Sequence, residues 1–126
     1  MKVLYIDDEP DIREVAEIAL GLDPEIEVST FGSGAEGLAA LDSGAVRPDI
    51  IMLDVMMPQM DGPAVLAEIR KRPELDTAPV VFITARAQSH EQARFLALGA
   101  VGVITKPFDP MTLAQELKAV AAREAQ

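Results

Sequence analysis

The sequence of 126 residues contains no cysteine, so it can form neither a disulfide nor a thiolate metal site. This absence is compatible with a reducing cytoplasm, where we expect the protein to be located. No apolar run approaches the roughly 20 residues that a helix needs to cross a bilayer. The first residues lead directly into acidic side chains, unlike a secretory signal peptide. We therefore expect no membrane span and no membrane partner.

Basic side chains are scarce. Lysine and arginine together number 11 against 21 aspartates and glutamates, which gives a formal net charge of −10. Binding to nucleic acid depends on basic side chains that neutralise phosphates, so this charge argues against a direct nucleic-acid partner. Histidine occurs once, at His90. Its place at the start of a predicted helix favours a surface residue over a phosphodonor.

Apolar segments of two different periods alternate along the chain. Short β-type runs predict five strands at residues 2–6, 26–30, 50–53, 80–83 and 101–105. Apolar residues at helical spacing predict helices at about 10–21, between a Ser33 cap and Gly44, at about 63–72 and 89–98, and from Pro110 onward with Asp109 as its cap. This alternation predicts an α/β fold with a parallel sheet covered on both faces, in one domain spanning residues 1–126.

The helical spacing also predicts which helix residues face the core. In the fourth helix we expect Leu98 and at least one other apolar residue to be buried, and the remainder to form a docking or dimer patch. The full set of residues expected to face inward is Ile12, Val15, Ala16, Ala19 and Leu20; Ala35, Leu38, Ala39 and Leu41; Val65, Leu66 and Ile69; members of Phe95, Leu96 and Leu98; and Leu113, Leu117 and Val120.

Polar side chains stand at the ends of four predicted strands. Asp7 and Asp8 follow the first, Asp54 ends the third, Thr84 follows the fourth and Lys106 follows the fifth. The carboxyl ends of parallel strands share one edge, so these groups are expected to converge. Neighbouring carboxylates repel one another, and a hard cation such as Mg²⁺ relieves that repulsion. Singly, each residue also fits a helix cap, a strand end or a surface lysine; the combination favours a phosphoryl-binding site.

Several motifs together resemble the receiver domain of bacterial two-component response regulators. They are Asp7-Asp8, Leu53-Asp54, Met57-Pro58 with Asp61-Gly62, Thr84-Ala85 and Lys106-Pro107-Phe108. The similarity covers essentially the whole chain and is of the stand-alone, chemotaxis-regulator-like kind, so we expect a receiver domain without an output domain. It implies a flavodoxin-like, doubly wound sheet in three layers, with five strands in the order 2-1-3-4-5 and five helices. It also implies a signalling domain rather than an enzyme, one that assists only its own phosphorylation and dephosphorylation.

The resemblance assigns the acidic residues their roles. Asp54 matches the aspartate that accepts a phosphoryl group from a sensor histidine kinase or a histidine phosphotransfer protein. Asp8 and Asp54 would bind Mg²⁺ together with the backbone carbonyl of Met56, while Asp7 would act through water. Other aspartate-phosphorylating hydrolases carry a second acid where this chain has Met56. We therefore expect the phosphoaspartate to last longer than a catalytic intermediate.

The resemblance also assigns the groups that would hold the phosphoryl oxygens. Thr84 and the backbone amide of Ala85 would contact these oxygens, and Lys106 would neutralise their charge. The bond between Lys106 and Pro107 is expected to be cis, as in the family. Many receivers carry an aromatic residue three positions before the lysine, where this chain has Val103. We therefore expect signalling to rely on Thr84 and residues 86–89 rather than on a threonine–aromatic switch.

The expected output surface is the face of the fourth helix, fifth strand and last helix, which would bind a downstream protein target. Val101 and Gly102 stand where DNA-binding receivers commonly carry acids, so we expect a monomer or a weak dimer. Arg86 and Met56 flank the expected entrance for water or phosphodonor. We interpret them as residues that tune the phosphoaspartate lifetime, with simple solvent exposure as the alternative.

Other functions fit the same pattern less well. One alternative is a phosphate shuttle or sink without its own effector. A flavin-binding module of the same fold is disfavoured because the acidic run of residues 7–9 would repel a flavin phosphate. A phosphatase is disfavoured because Met56 replaces the second acid.

Overall fold

Five strands form one sheet, namely β1 (Lys2–Ile6), β2 (Glu27–Phe31), β3 (Ile50–Asp54), β4 (Val80–Thr84) and β5 (Gly102–Thr105). In this computed structural model, which describes residues 1–85 and 88–124, all neighbouring strands are parallel and their order is β2-β1-β3-β4-β5. The predicted parallel sheet and strand order are both confirmed. The carboxyl ends of β1, β3, β4 and β5 therefore lie along one edge.

Helices connect consecutive strands, and a last helix follows β5. The helices are α1 (Pro10–Gly21), α2 (Gly34–Ser43), α3 (Gly62–Arg70), α4 (Ser89–Ala97) and α5 (Leu113–Glu124), with a short 3₁₀ turn at Pro73–Leu75. Most boundaries lie within one or two residues of those predicted. As expected, Ser33 caps α2, since its Oγ accepts the N–H of Glu36 at 3.1 Å. Each helix in the described part of the chain is too short or too polar to span a bilayer.

The core has two halves, one on each face of the sheet. Along β1, Val3 and Tyr5 belong to the half that includes α1 and α5, while Leu4 and Ile6 belong to the half that includes α2, α3 and α4. Every residue of β3 is buried because the strand lies in the middle of the sheet. The helices thus form outer layers on both faces, which confirms the predicted three-layer arrangement.

Several predicted inward residues are exposed. Leu98, predicted to lie in the core, is 47% exposed because α4 ends at Ala97; only Phe95 of that helix is buried. In α2, Leu38 and Leu41 are buried as predicted, but the other buried positions are Gly34 and Gly37. A Cβ atom at Gly37 would lie 2.3 Å from the side chain of Ile6. This close approach of helix and sheet turns Ala35 and Ala39 outward, and Val15 of α1 and Leu96 of α4 are also exposed.

The last helix begins later than predicted. Regular helix starts at Leu113, not at Pro110, and residues 110–112 form a turn. Asp109 still caps this turn, because its carboxylate accepts the N–H of Met111 at 2.9 Å and its carbonyl accepts the N–H of Leu113 at 3.0 Å. Leu117 and Val120 face the core as expected.

Candidate functional site

Asp54 ends β3 and is 3% exposed. The chain then turns tightly into α3, with Gln59 at a φ of 69° and a hydrogen bond of 2.9 Å from the Gly62 N–H to the Val55 carbonyl. A Cβ atom at Gly62 would lie 2.7 Å from the carbonyl oxygen of Asp54, so only glycine permits this approach. Asp61 caps α3 by accepting the Ala64 N–H at 2.9 Å. These bonds fix the segment that follows the central carboxylate.

The end of β1 brings further carboxylates to Asp54. One carboxylate oxygen from each of Asp7, Asp8, Glu9 and Asp54 lies within 4.8 Å of the others. Asp7 is fully buried, whereas the Glu9 side chain is 59% exposed. The predicted convergence of Asp7, Asp8 and Asp54 is therefore confirmed. Glu9 was not predicted as a member; its position directly after the acidic pair was the available signal.

Lys106 follows β5 and joins this acidic cluster. Its Nζ lies 2.8 Å from Oδ2 of Asp7, 3.2 Å from Oδ1 of Asp54 and 3.4 Å from Oε1 of Glu9. Its backbone N–H donates to the Thr84 carbonyl at 2.8 Å, which ties this lysine to the end of β4. The Lys106–Pro107 peptide bond is cis, as predicted.

Asp7 is held by hydrogen bonds on both of its carboxylate oxygens. Its Oδ2 accepts the hydroxyl of Tyr5, and its Oδ1 accepts the backbone N–H of Glu9 at 2.9 Å. Arg13 donates to the carbonyl of Asp7 at 2.7 Å. The sequence pattern predicts Tyr5 only as a strand residue. Its place two residues before Asp7, on the same face of the strand, was the signal that it contacts the site.

Two other carboxylate oxygens of the cluster are buried without such bonds. Oδ1 of Asp8 and Oδ2 of Asp54 accept no hydrogen bond from any residue in the described ranges. A buried polar atom without a partner is costly. Asp8 and Asp54 also belong to a cluster of four carboxylates, and Lys106, its cationic partner among the described residues, cannot neutralise all four. A hard divalent cation with oxygen ligands would satisfy both atoms. The residues present therefore fit Mg²⁺.

The environment shifts the proton affinities of the central groups. Burial, followed by the charge of Asp7, raises the pKa of Asp54 to about 7, although Lys106 opposes the shift. Burial would lower the pKa of Lys106, but its hydrogen bond with Asp7 and the charge of that carboxylate outweigh burial and raise it. Burial and the hydrogen bond to Asp7 raise the pKa of the Tyr5 hydroxyl.

A cleft of about 510 Å³ lies between the segment that follows β3, the end of β4 and α4. Thr84, which is 4% exposed, lines it together with Met56, whose side chain is 68% exposed, and with Arg94 of α4. Ala85 is exposed at the end of β4. Arg86, predicted to flank the entrance, lies outside the described residues. The side chain of His90 is 72% exposed, as expected for a surface position.

Comparison with known proteins identifies this arrangement. A family model described as the response regulator receiver domain matches residues 3–118. The chain belongs to this receiver domain family. Receiver domains are phosphoacceptor signalling domains of two-component systems that interact with histidine kinases and downstream targets and bind Mg²⁺ through an acidic pocket. The resemblance, fold and class of function expected from the sequence are thereby confirmed, in preference to the flavin-binding and phosphatase alternatives.

Relatives of this receiver domain were found both by sequence and by structure. The chain is 38% identical over 121 residues to the transcriptional regulatory protein CseB of Streptomyces avermitilis, which covers 96% of this chain and 49% of CseB. This receiver domain thus spans about half the length of that relative. The structure of chemotaxis protein CheY4 of Vibrio cholerae is similar with a TM-score of 0.83 and 34% identity, covering 94% of this chain and 97% of CheY4.

A third relative of this receiver domain carries a metal. The Mn²⁺-bound form of response regulator Rcp1 has a TM-score of 0.74 and 25% identity, covering 98% of this chain and 91% of that protein. The relatives named as transcriptional regulators give no support to the prediction that nucleic acid is not a direct partner.

Proposed function

We propose that Asp54 accepts a phosphoryl group from the phosphohistidine of a sensor histidine kinase or a histidine phosphotransfer protein. A carboxylate oxygen of Asp54 forms a bond to phosphorus while the phosphorus–nitrogen bond of the donor breaks, and the imidazole leaves with the electron pair. The observation that carries this proposal is the buried Asp54 carboxylate, with Oδ1 3.2 Å from Lys106 and Oδ2 without a hydrogen bond from the described residues.

The surrounding groups are suited to phosphoryl transfer, which depends on positioning and charge neutralisation. Lys106 places a positive charge beside the oxygens that the phosphoryl group would bring. We assign the Thr84 hydroxyl and the Ala85 amide to the phosphoryl oxygens, supported by their place at the end of β4, next to β3 in the sheet. Met56, in place of a second acid, leaves water without a general base there, so the phosphoaspartate should persist.

Mg²⁺ is the proposed cofactor. Asp8, Asp54 and the backbone carbonyl of Met56 would hold it, with Asp7 acting through water. When bound, the cation would offset the negative charge that gathers on the phosphoryl oxygens. The unbonded oxygens of Asp8 and Asp54 support this assignment.

Output is proposed to pass through the face formed by α4, β5 and α5. Leu96 and Leu98 are 50% and 47% exposed there and offer apolar surface to a protein target. Val103, half-buried on β5 beside Phe82, stands where an aromatic switch residue would be, so Thr84 and the loop after it would carry the change. We propose a monomer or weak dimer in the cytoplasm, without direct contact to nucleic acid; a stable unphosphorylated dimer in light scattering would contradict the monomer.

The test is incorporation of radioactive phosphate from acetyl phosphate. We expect labelling in Mg²⁺ and none in EDTA for the wild type, and no labelling of Asp54→Asn. Asp61→Asn is the matched control, because it makes the same chemical change at a helix cap where asparagine serves equally well. Equal labelling of Asp54→Asn and the wild type would refute the proposal.

A further inference from the structure

Tyr5 connects the hydrophobic core to the acidic cluster. It is the single tyrosine of the chain, lies in β1 and has no exposed surface. Its ring belongs to the half of the core that includes Leu20 of α1 and Leu117 of α5. Side chains two residues apart in a strand point to the same face, and the Tyr5 hydroxyl donates to Oδ2 of Asp7. One core side chain is thus bonded directly to a carboxylate of the site.

Packing alone does not explain a tyrosine at this position. Phenylalanine would fill the same space with its ring, and a buried hydroxyl is unfavourable unless it forms a hydrogen bond. The hydroxyl of Tyr5 has its partner in Asp7, and a hydrogen bond to an ionised acceptor is stronger than one between neutral groups. The role of the Tyr5 hydroxyl is therefore its hydrogen bond to the carboxylate of Asp7.

The hydrogen bonds of Asp7 distinguish it from the other buried carboxylates of the cluster. Its Oδ2 receives Tyr5 and lies 2.8 Å from Nζ of Lys106, while its Oδ1 receives the N–H of Glu9 at 2.9 Å. By contrast, one buried oxygen each of Asp8 and Asp54 receives no hydrogen bond from the described residues. The cluster is divided into one carboxylate held in place and two with an oxygen open to a ligand.

We propose that Tyr5 is a positioning residue of the site. Its hydroxyl fixes the orientation of Asp7, so that Asp7 keeps its contact with Lys106 and the open oxygens of Asp8 and Asp54 receive the divalent cation. This inference rests on the proposed function, since it concerns the same site. Without the hydroxyl, Asp7 Oδ2 loses a buried donor, and the carboxylate can turn toward the cation or draw Lys106 away from Asp54.

A purely structural role would have a different consequence. If Tyr5 only filled the core, removing its hydroxyl would lower the stability of the fold equally with and without Mg²⁺, and the affinity for Mg²⁺ would not change. Val3 provides the matched control. It lies two residues earlier in β1, belongs to the same half of the core, is fully buried and precedes the acidic residues by four positions.

The first test measures Mg²⁺ binding by isothermal titration calorimetry for the full chain. We expect Tyr5→Phe to raise the dissociation constant about tenfold, as is usual when a group that orients a metal site is removed. Val3→Ala should destabilise the fold while leaving that constant within about twofold of the wild type. An unchanged constant in Tyr5→Phe, or an equal rise in Val3→Ala, overturns the inference.

The second test is a double-mutant cycle with Asp7→Asn. Because Tyr5 acts through Asp7, the effect of Tyr5→Phe on the Mg²⁺ dissociation constant should disappear in the Asp7→Asn background. Additive effects of the two substitutions would show that Tyr5 acts by another route and would overturn the inference.

The third test measures the intrinsic fluorescence of Tyr5. The chain contains no tryptophan, so Tyr5 dominates its near-ultraviolet fluorescence. We expect emission to change with Mg²⁺ at the midpoint found by calorimetry, and to stay constant in Asp8→Asn. A flat emission curve with normal calorimetric binding overturns the role of Tyr5 alone. Absence of calorimetric binding in the wild type overturns the Mg²⁺ assignment too, so the two failures are distinguishable.

Discussion

At the scale of single residues, the surroundings of Asp54 disfavour its ionised form. Its carboxylate is buried among other acids, and among the residues that the structure describes its cationic partner is Lys106, at 3.2 Å. Burial and the charge of Asp7 raise the pKa of Asp54 to about 7, well above the ordinary value of an aspartate. The ionised form, which the proposed phosphoryl transfer requires, is therefore the form that lowers the stability of the fold.

This conflict predicts a pH-dependent effect of Asp54→Asn in EDTA. Because the pKa of Asp54 is higher in the folded than in the unfolded state, its protonated form stabilises the fold. This contribution is fully present below pH 3.8, the pKa in the unfolded state, and is lost as the pH rises through about 7. The free energy of unfolding gained by the substitution should be larger at pH 8 than at pH 5, by on the order of 2 kcal/mol. Urea denaturation at both pH values measures it, and the same gain at both would contradict the raised pKa.

At the scale of elements, the connection from β3 to α3 is built around Gly62. Its N–H donates to the Val55 carbonyl at 2.9 Å, and a Cβ atom there would lie 2.7 Å from the Asp54 carbonyl and 3.0 Å from the ring of Phe82. Both neighbours are buried parts of the sheet, so neither moves aside easily.

We accordingly expect Gly62→Ala to lower the free energy of unfolding by about 1–3 kcal/mol and to slow labelling of Asp54. Gly21→Ala is the matched control. Gly21 lies at the end of α1, and a Cβ atom added there would meet no heavy atom within 4 Å, so alanine should be neutral or slightly stabilising. Thermal denaturation of both variants checks the prediction, and equal stability of the two would contradict the close approach at Gly62.

The elements themselves follow from local patterns in the sequence, and the exceptions have tertiary causes. Strand ends at Asp7 and Asp54 were predictable because a buried run meets a charge there. The buried face of α2 was predictable only in part: the spacing correctly placed Leu38 and Leu41 inside, but it also favoured Ala35 and Ala39. Gly37 is buried instead, because the helix lies so close to Ile6 that a Cβ atom would not fit. These residues are neighbours only after the helix has packed on the sheet.

The candidate site was also predictable from the sequence only in part. Convergence of Asp7, Asp8, Asp54 and Lys106 was predictable from the parallel sheet, which brings strand ends to one edge. The hydrogen bond from Tyr5 was not predicted, because a tyrosine in a strand fits ordinary packing equally well. Only the side-chain arrangement shows that its hydroxyl ends at a carboxylate.

At the scale of the whole molecule, ligand binding at the edge of the sheet is coupled to global stability. Anything that binds only the folded state raises the free energy of unfolding, by about 2.7 kcal/mol when its concentration is 100 times the dissociation constant. The open oxygens of Asp8 and Asp54 lie on β1–α1 and β3, so a cation there joins two parts of the fold.

Mg²⁺ should therefore raise the melting temperature relative to EDTA, by several degrees at saturation. The rise should be lost in Asp8→Asn and kept in Asp11→Asn, which makes the same change in the first turn of α1, outside the cluster. Scanning calorimetry with and without Mg²⁺ provides the comparison. A rise that survives in Asp8→Asn would place the cation elsewhere.

Chemical trapping shows whether Asp54 itself forms the proposed bond to phosphorus. After reaction with acetyl phosphate and Mg²⁺, borohydride reduces an aspartyl phosphate to homoserine, and peptide mass spectrometry locates the altered residue. We expect homoserine at position 54, in the peptide that contains β3, and none in a sample treated in EDTA. Homoserine at another aspartate, or an unaltered Asp54 in a labelled protein, would contradict the proposal.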